Sequence, residues 1–110
     1  MTKYYVNKKL TADQLVAHGF RHESDFLTKF YPVMFYQTKN IRVPTVWVRV
    51  RIDLGENAYD MQVMHTHEMI DSVYYSEYGN ADTYRKKINR GMRRVIESLC
   101  YREILERRKR

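Results

Sequence analysis

Cationic side chains recur between residues 85 and 94 at a spacing that places them on one helix face. At 100° per residue, five fall on the same side of a helix: Lys86, Lys87, Arg90, Arg93 and Arg94. Only Glu97 interrupts this face, and residues 107–110 add a cationic tail. Because each phosphate that a protein neutralises releases a counterion, such a face favours nucleic-acid binding. A merely solvated amphipathic helix would carry similar charges, so this alternative stays open.

A second group of candidate binding residues is the outward face of a strand, formed by Trp47, Arg49 and Arg51. A tryptophan flanked by arginines can stack on bases and contact phosphates. Tryptophan is usually mostly buried, so we favour the alternative in which a loop or the first helix covers Trp47 and acidic residues pair with the arginines. No RNA-recognition-motif signature is present, and the order of elements does not match a helix-turn-helix.

A third group combines His65, His67 and Glu68, with Asp71 nearby. Histidines two apart on a strand share a face and can hold a metal ion that a carboxylate helps to bind. A metal-dependent hydrolase is therefore a minor alternative. The sequence has no Gly-rich phosphate loop, GxSxG or HExxH motif, and Cys100 fits a packing role. A binding protein without a cofactor is the preferred hypothesis.

The charges are segregated along the chain. Residues 1–52 hold nine Lys and Arg against three acids, a net of +6. Residues 53–82 hold seven acids and no Lys or Arg, a net of −7, and residues 83–110 hold eleven cations against three acids, a net of +8. Blocks of opposite sign indicate a directed field, either for a polyanion or for a protein partner, including a second copy of the chain.

Helix signals lie at both ends of the chain. Thr11 and Gln14 fit a capping box, and Gly19 is a typical terminator, so a short helix is predicted at about residues 12–18. A long helix is predicted at about residues 81–106, capped by Asn80 or Asp82. Its apolar stripe consists of Tyr84, Ile88, Met92, Val95, Ile96 and Leu99.

Beyond Cys100 this apolar stripe changes sides. Tyr101, Ile104 and Leu105 fall on the formerly basic side of a continued helix. A straight helix cannot bury both sides against one sheet, so we expect a bend near Gly91 or Cys100, or a partner packed on the last turns. The predicted partner interface is therefore Tyr101, Ile104 and Leu105.

The middle of the chain reads as an antiparallel meander. Alternation is clearest from Thr45 to Asp53, and a turn at residues 55–57 leads to a strand at about 59–67, so a hairpin is predicted. Residues 30–38 also read as a strand, which is an edge or begins after Pro32 because proline cannot donate a ladder hydrogen bond. Residues 69–78 show no clear period and stay open between strand, loop and helix.

These elements predict an α+β fold. A three- or four-stranded antiparallel sheet would be covered on one face by the C-terminal helix, with the short N-terminal helix at an edge. The expected core joins strand residues to the C-terminal helix: Val46, Val48, Val50, Ile52, Met61, Val63, Ile88, Met92, Val95 and Leu99. With 110 residues, we expect one domain over residues 1–106 and a basic tail at 107–110.

Composition narrows the class of protein further. A single cysteine excludes an intrachain disulfide, and the sequence shows no signal peptide or long apolar run, so a cytoplasmic protein without a membrane role is expected. The layout, a Leu-x-x-x-Gly-Phe helix followed by a meander and a terminal helix, resembles small accessory proteins of phages and mobile elements; this rests on size and order alone and carries over no residues.

Two functions are therefore predicted. The first is a small accessory protein that grips the phosphate backbone of DNA or RNA with little sequence specificity. The alternative is a protein-binding modulator of a host nucleic-acid-handling protein, with self-association into a homodimer as one route.

Overall fold

The computed structural model describes residues 2–37, 39–65 and 81–109, and these form an α+β fold. The elements are β1 (Thr2–Val6), α1 (Ala12–Ala17), β2 (Arg21–Glu23), β3 (Phe26–Gln37), β4 (Arg42–Asp53), β5 (Ala58–His65), α2 (Ala81–Tyr101) and β6 (Leu105–Lys109). Strands β2 to β5 form a four-stranded antiparallel meander, and β1 pairs with β6 in a separate two-stranded sheet. The predicted antiparallel sheet with a C-terminal and a short N-terminal helix is confirmed. Residues 69–78, for which the sequence predicts no single structure, lie outside the described part.

The hairpin of β4 and β5 forms as the alternation predicts. Its register pairs Val48 with Val63 and Val50 with Met61. The even-numbered positions of β4 from 46 to 52 are fully buried, which is the pattern of a strand with one face in the core. At the turn the Asp53 side chain accepts a hydrogen bond from the Glu56 amide at 3.1 Å, and Asn57 takes a left-handed φ of 52°, which asparagine tolerates.

Strand β3 is longer than predicted and includes Pro32, which lies opposite Trp47 on β4. On its other side β3 pairs with β2 only over residues 26–28. Pro32 therefore has no β2 residue beside it. This position suits proline, which has no amide hydrogen to donate to a neighbouring strand. The register shifts between Pro32 and Phe35, and this irregularity allows Val33 to contact α2 while Met34 is buried.

Helix α1 has the predicted caps. The Thr11 hydroxyl accepts from the Gln14 amide at 3.2 Å, and the Gln14 side chain accepts from the Thr11 amide at 3.0 Å. Gly19 has a φ of 95°, and the amide of Phe20 donates to the carbonyl of Leu15 at 3.0 Å. The Gly19 amide also donates to the Val16 carbonyl at 3.0 Å. The two bonds form a Schellman motif, which satisfies the last carbonyls of the helix and directs Phe20 into the core.

Helix α2 ends at Tyr101, so the prediction of a helix to residue 106 is wrong. Glu103 adopts a φ of 61°. The Ile104 amide donates to the Leu99 carbonyl at 2.9 Å, and the Glu103 amide donates to the Cys100 carbonyl at 3.0 Å. A second Schellman motif therefore stops the helix and reverses the chain into β6, which runs antiparallel to β1.

This reversal also corrects the predicted partner interface. Ile104 and Leu105 are 0% and 2% exposed and belong to the hydrophobic core, whereas Tyr101 is 89% exposed. The three residues therefore do not share a surface. The apolar stripe changes sides after Cys100 because the helix ends at Tyr101 and the chain turns into β6.

The core lies between α2 and the face of β4 that carries Val48, Val50 and Ile52. The predicted partners Val95 and Leu99 are buried with them, and Met61 and Met92 pack against the same cluster. Val46, Met34, Val63 and Ile88 form a second, smaller cluster. The core also takes in apolar residues that the sequence did not assign to it: Val6, Leu15, Leu27, Ile104 and Leu105. Each fully buried aliphatic side chain contributes roughly 1.5–3 kcal/mol.

Within the described residues, neither α1 nor α2 has the length and apolar composition needed to cross a bilayer.

Candidate functional site

A groove of about 320 Å³ lies between α2 and the adjoining parts of β3 and β4. Arg42, Lys87, Arg90 and Arg94 supply four cationic groups to it, and no described residue lining it carries a carboxylate. We call this feature the cationic groove. Its lining consists of Val33, Met34, Phe35, Arg42, Lys87, Arg90, Gly91 and Arg94.

Helical periodicity places three of these cations on one wall. Lys87, Arg90 and Arg94 are three and four residues apart, so they lie on one flank of α2 and span about 10 Å along its axis at a rise of about 1.5 Å per residue. All three side chains are exposed. The flank faces β3 because the neighbouring stripe through Ile88, Val95 and Leu99 packs on the sheet.

Gly91 brings α2 close to β3 at the floor of the groove. A Cβ atom at position 91 would lie 2.7 Å from Val33 Cβ and 3.0 Å from its Cγ1. Carbon atoms in contact normally stand about 3.5–4.0 Å apart. Glycine is therefore the residue that permits this separation of helix and strand, and with it the depth of the groove.

Arg42 supplies the cation on the opposite wall. It is the first residue of β4, is exposed, and lies opposite Gln37 of β3. Its guanidinium carbon lies 3.9 Å from the centre of the Phe35 ring, a cation–π contact that orients the guanidinium plane. Sequence reasoning missed Arg42, since it stands 45 residues before Lys87 and no local pattern connects the two.

A smaller hollow of about 210 Å³ continues the groove along α2. It shares Val33, Phe35, Gly91 and Arg94 with the cationic groove. The residues it adds carry mostly apolar or aromatic surface: Tyr31, Pro32, Val95 and Ser98. The groove is therefore cationic at one end and largely apolar at the other.

Of the five cations predicted on one helix face, only three line the cationic groove. Lys86 and Arg93 are exposed but do not line the groove that receives Lys87, Arg90 and Arg94. Glu97 lines a different hollow, near the end of α2. The structure thus divides the predicted face into a flank directed at β3 and an outer crest that carries Lys86 and Arg93.

The face of Trp47, Arg49 and Arg51 lies on the side of the sheet away from α2, because alternate residues of a strand point to opposite faces. Arg51 donates to Asp60 at 2.9 and 3.2 Å and lies 4.9 Å from the Phe26 ring centre. Arg49 donates to the side chain of Gln62. The predicted alternative, in which acidic residues pair with these arginines, therefore holds for Arg51. Trp47, Arg49 and Arg51 do not line the cationic groove.

Most of the basic residues at the C-terminus belong to a strand. Arg107 and Arg108 lie in β6, where Arg107 is 5.8 Å from the Tyr4 ring centre and Arg108 is 4.5 Å from that of Tyr5. Arg108 also pairs with Glu106 at 3.4 Å. The two ring contacts connect the segment to β1, and neither arginine lines the cationic groove.

The predicted metal site lies largely outside the described part of the chain. His65 is the last residue of β5, and His67, Glu68 and Asp71 fall in the range 66–80, which the structure does not describe. Among the described residues, no group of three or more His, Cys, Asp or Glu side chains is placed to hold a metal ion. The metal hypothesis stays a prediction.

One described cation with a shifted pKa, Lys29, lies in β3 beside the C-terminal end of α1. Burial, with a further effect from the charge of Arg102, lowers the pKa of Lys29 below 10.5. Its Nζ donates to the His18 carbonyl at 2.7 Å and lies 4.8 Å from the Tyr31 ring centre. Lys29 therefore satisfies a carbonyl at the C-terminal end of α1, which is a structural role.

The chain was also compared with known proteins. A scan against models of protein families, a search of curated proteins and a search of solved structures each found no match. The function must be inferred from the charge and geometry of the groove itself.

Proposed function

We propose that this protein binds nucleic acid through its phosphate backbone and that the cationic groove is the binding site. The observation that carries the proposal is the convergence of Arg42 with Lys87, Arg90 and Arg94 around one concavity whose described lining has no carboxylate. Guanidinium and ammonium groups are the usual partners of phosphate. Binding of this kind reads little sequence, because phosphate contacts position a protein without identifying bases.

The number of cations in the groove sets the expected salt dependence of binding. An anion in the groove would interact favourably with the four cations that line it. If each neutralises one phosphate, log Kobs should fall against log salt with a slope of roughly −3 to −4. Raising NaCl from about 50 to about 200 mM should then weaken binding on the order of a hundredfold. The net charge of +7 also favours fast encounter with a polyanion.

The test is a pair of charge reversals with equal net charge. Lys87→Glu/Arg94→Glu reverses two groove cations, and Lys86→Glu/Arg93→Glu reverses two cations on the outer crest. Fluorescence anisotropy with labelled DNA and RNA at two salt concentrations should show that the groove variant loses most of its affinity and salt slope. The crest variant should keep most of both. An equal loss in the two variants would mean that only net charge matters, and unchanged binding in the groove variant would reject the proposal.

A second candidate function is a protein-binding modulator of a host nucleic-acid-handling protein, with a homodimer as one form. The observation that favours it is Tyr101, which is 89% exposed and lines a hollow of about 760 Å³ together with Glu97, Glu103 and Glu106. Exposed tyrosines are common anchors of interfaces. Sedimentation of the wild type and of Tyr101→Ala tests self-association, because a homodimer through this surface requires the variant to dissociate more readily.

A further inference from the structure

We infer that the cationic groove accepts a single strand of nucleic acid and that a base stacks on the guanidinium of Arg42. This inference rests on the proposed function and goes further, since it names the form of nucleic acid. It distinguishes an unpaired strand, whose bases are accessible, from a duplex, whose bases are stacked on each other.

The contact between Arg42 and Phe35 provides the stacking surface. The guanidinium lies 3.9 Å from the centre of the ring, so Phe35 supports one face of the planar group. Arg42 is exposed and lines the groove, which leaves its plane available to a ligand that enters there. Unpaired bases commonly stack on arginine planes and on aromatic side chains.

The dimensions of the groove also fit one strand. Lys87 and Arg94 are about 10 Å apart along the helix axis, which covers about three phosphates of one strand at the per-strand axial spacing of about 3.4 Å in B-form DNA. The opposite wall carries Arg42, so cations flank the groove on both sides. A backbone lying along α2 would keep its phosphates near the helix flank and direct a base towards Arg42.

Insertion of α2 into a duplex would use a different surface. The major groove of DNA is wide enough for a helix, but a helix that enters it must present its outward crest. That crest of α2 carries Lys86 and Arg93, while Lys87 and Arg94 line the groove against β3. Docking by the crest would therefore leave Arg42 and the groove without a ligand.

The largely apolar continuation of the groove supports the same occupant. Tyr31, Pro32 and Val95 line the adjoining hollow of about 210 Å³. An apolar surface next to a cationic one suits a ligand that alternates flat bases with phosphates, because the bases gain from leaving water. A purely acidic segment such as polyglutamate would satisfy the cations but has no apolar side chain to place in this hollow.

The experiment compares three labelled probes of about twelve nucleotides by fluorescence anisotropy: oligothymidylate, an abasic strand with the same number of phosphates, and a duplex. The full chain should bind oligothymidylate roughly fivefold or more tighter than the other two, which corresponds to at least one stacked base. Arg42→Lys keeps the charge and removes the planar group, so it should abolish this preference and preserve the salt slope. Arg93→Lys makes the same change on the crest and should leave the preference intact.

The outcomes separate this inference from the proposed function. Equal affinity for the three probes, or a preference that Arg42→Lys leaves unchanged, would overturn the single-strand inference while salt-dependent binding through the groove still stood. If polyglutamate displaced the labelled strand as well as unlabelled oligothymidylate does, the groove would be a general polyanion site and the inference would be wrong. Absence of salt-dependent binding to all three probes would reject the proposed function itself.

Discussion

Gly91→Ala tests the close approach of α2 to β3 that forms the floor of the groove. In an exposed helix interior, alanine is more stable than glycine by about 0.8–1.0 kcal/mol. At position 91 the new Cβ would lie 2.7 Å from Val33 Cβ, so the helix and strand must separate by about 1 Å to reach normal contact. Overpacking of this kind costs about 1–3 kcal/mol. We therefore expect a net loss of about 1 kcal/mol.

Position 89 supplies the matched control. Asn89 lies on the same helix and is exposed, so Asn89→Ala should exceed Asn89→Gly in stability by about 1 kcal/mol. Replacing glycine by alanine should therefore change the free energy of unfolding in opposite directions at the two positions, with a difference of about 2 kcal/mol. Urea denaturation followed by circular dichroism measures both changes, and the m-value should stay constant.

The cause of the loss can be isolated with a double-mutant cycle. In a Val33→Gly background the atoms that the new Cβ would meet are absent, so Gly91→Ala should become stabilising by about 1 kcal/mol. The reasoning is refuted if Gly91→Ala stabilises the otherwise unchanged chain as much as the exchange at position 89 does. That result would mean that helix and strand do not approach as closely as the structure places them.

Three further predictions concern the end of α2 and the tyrosine beside the groove. Leu105→Ala should lower the free energy of unfolding by about 2–5 kcal/mol because the side chain is 2% exposed. Tyr101→Ala should change it by less than about 0.5 kcal/mol. Urea denaturation measures both, and a large loss only in the Tyr101 variant would contradict a helix that ends at Tyr101. Glu103→Gly should raise stability by about 1 kcal/mol, since glycine adopts the φ of 61° without the cost that a side chain carries, and a destabilised variant would count against the left-handed turn. Burial raises the pKa of Tyr31 above 10.0, so the folded chain retains a proton that the unfolded chain loses, and stability should fall as the pH rises above 10.0. Tyr31→Phe should reduce this fall when urea midpoints at about pH 8 and about pH 11 are compared. It should be tolerated at the lower pH because the buried hydroxyl has no hydrogen-bond partner among the residues that the structure describes; an identical alkaline loss in both chains would contradict this prediction.

Local patterns in the sequence determined several elements correctly. The alternation from Val46 to Ile52 predicted both the strand and the face that enters the core. Thr11, Gln14 and Gly19 predicted the two ends of α1. These predictions succeed because caps, turns and side-chain periodicity depend on residues that are neighbours in the chain.

Local patterns in the sequence do not predict where α2 ends. A left-handed residue after a helix is usually glycine or asparagine, and the chain has Glu103 there. The conformation is supported by contacts distant in sequence: burial of Ile104 in the core and pairing of β6 with β1, about 100 residues earlier. Because no local pattern contains these contacts, the sequence predicts a helix that is too long and an interface at residues that are buried.

At the candidate site too, part of the arrangement follows from local sequence and part from tertiary packing. By itself the sequence determined that Lys87, Arg90 and Arg94 share one flank of a helix, since helical spacing requires it. Only the tertiary structure decided which flank faces the sheet, that Arg42 lies across from it, and that Lys86 and Arg93 stay on the crest. The physical reason is that periodicity defines the faces of a single element, whereas packing at contacts such as Gly91 with Val33 defines which faces meet.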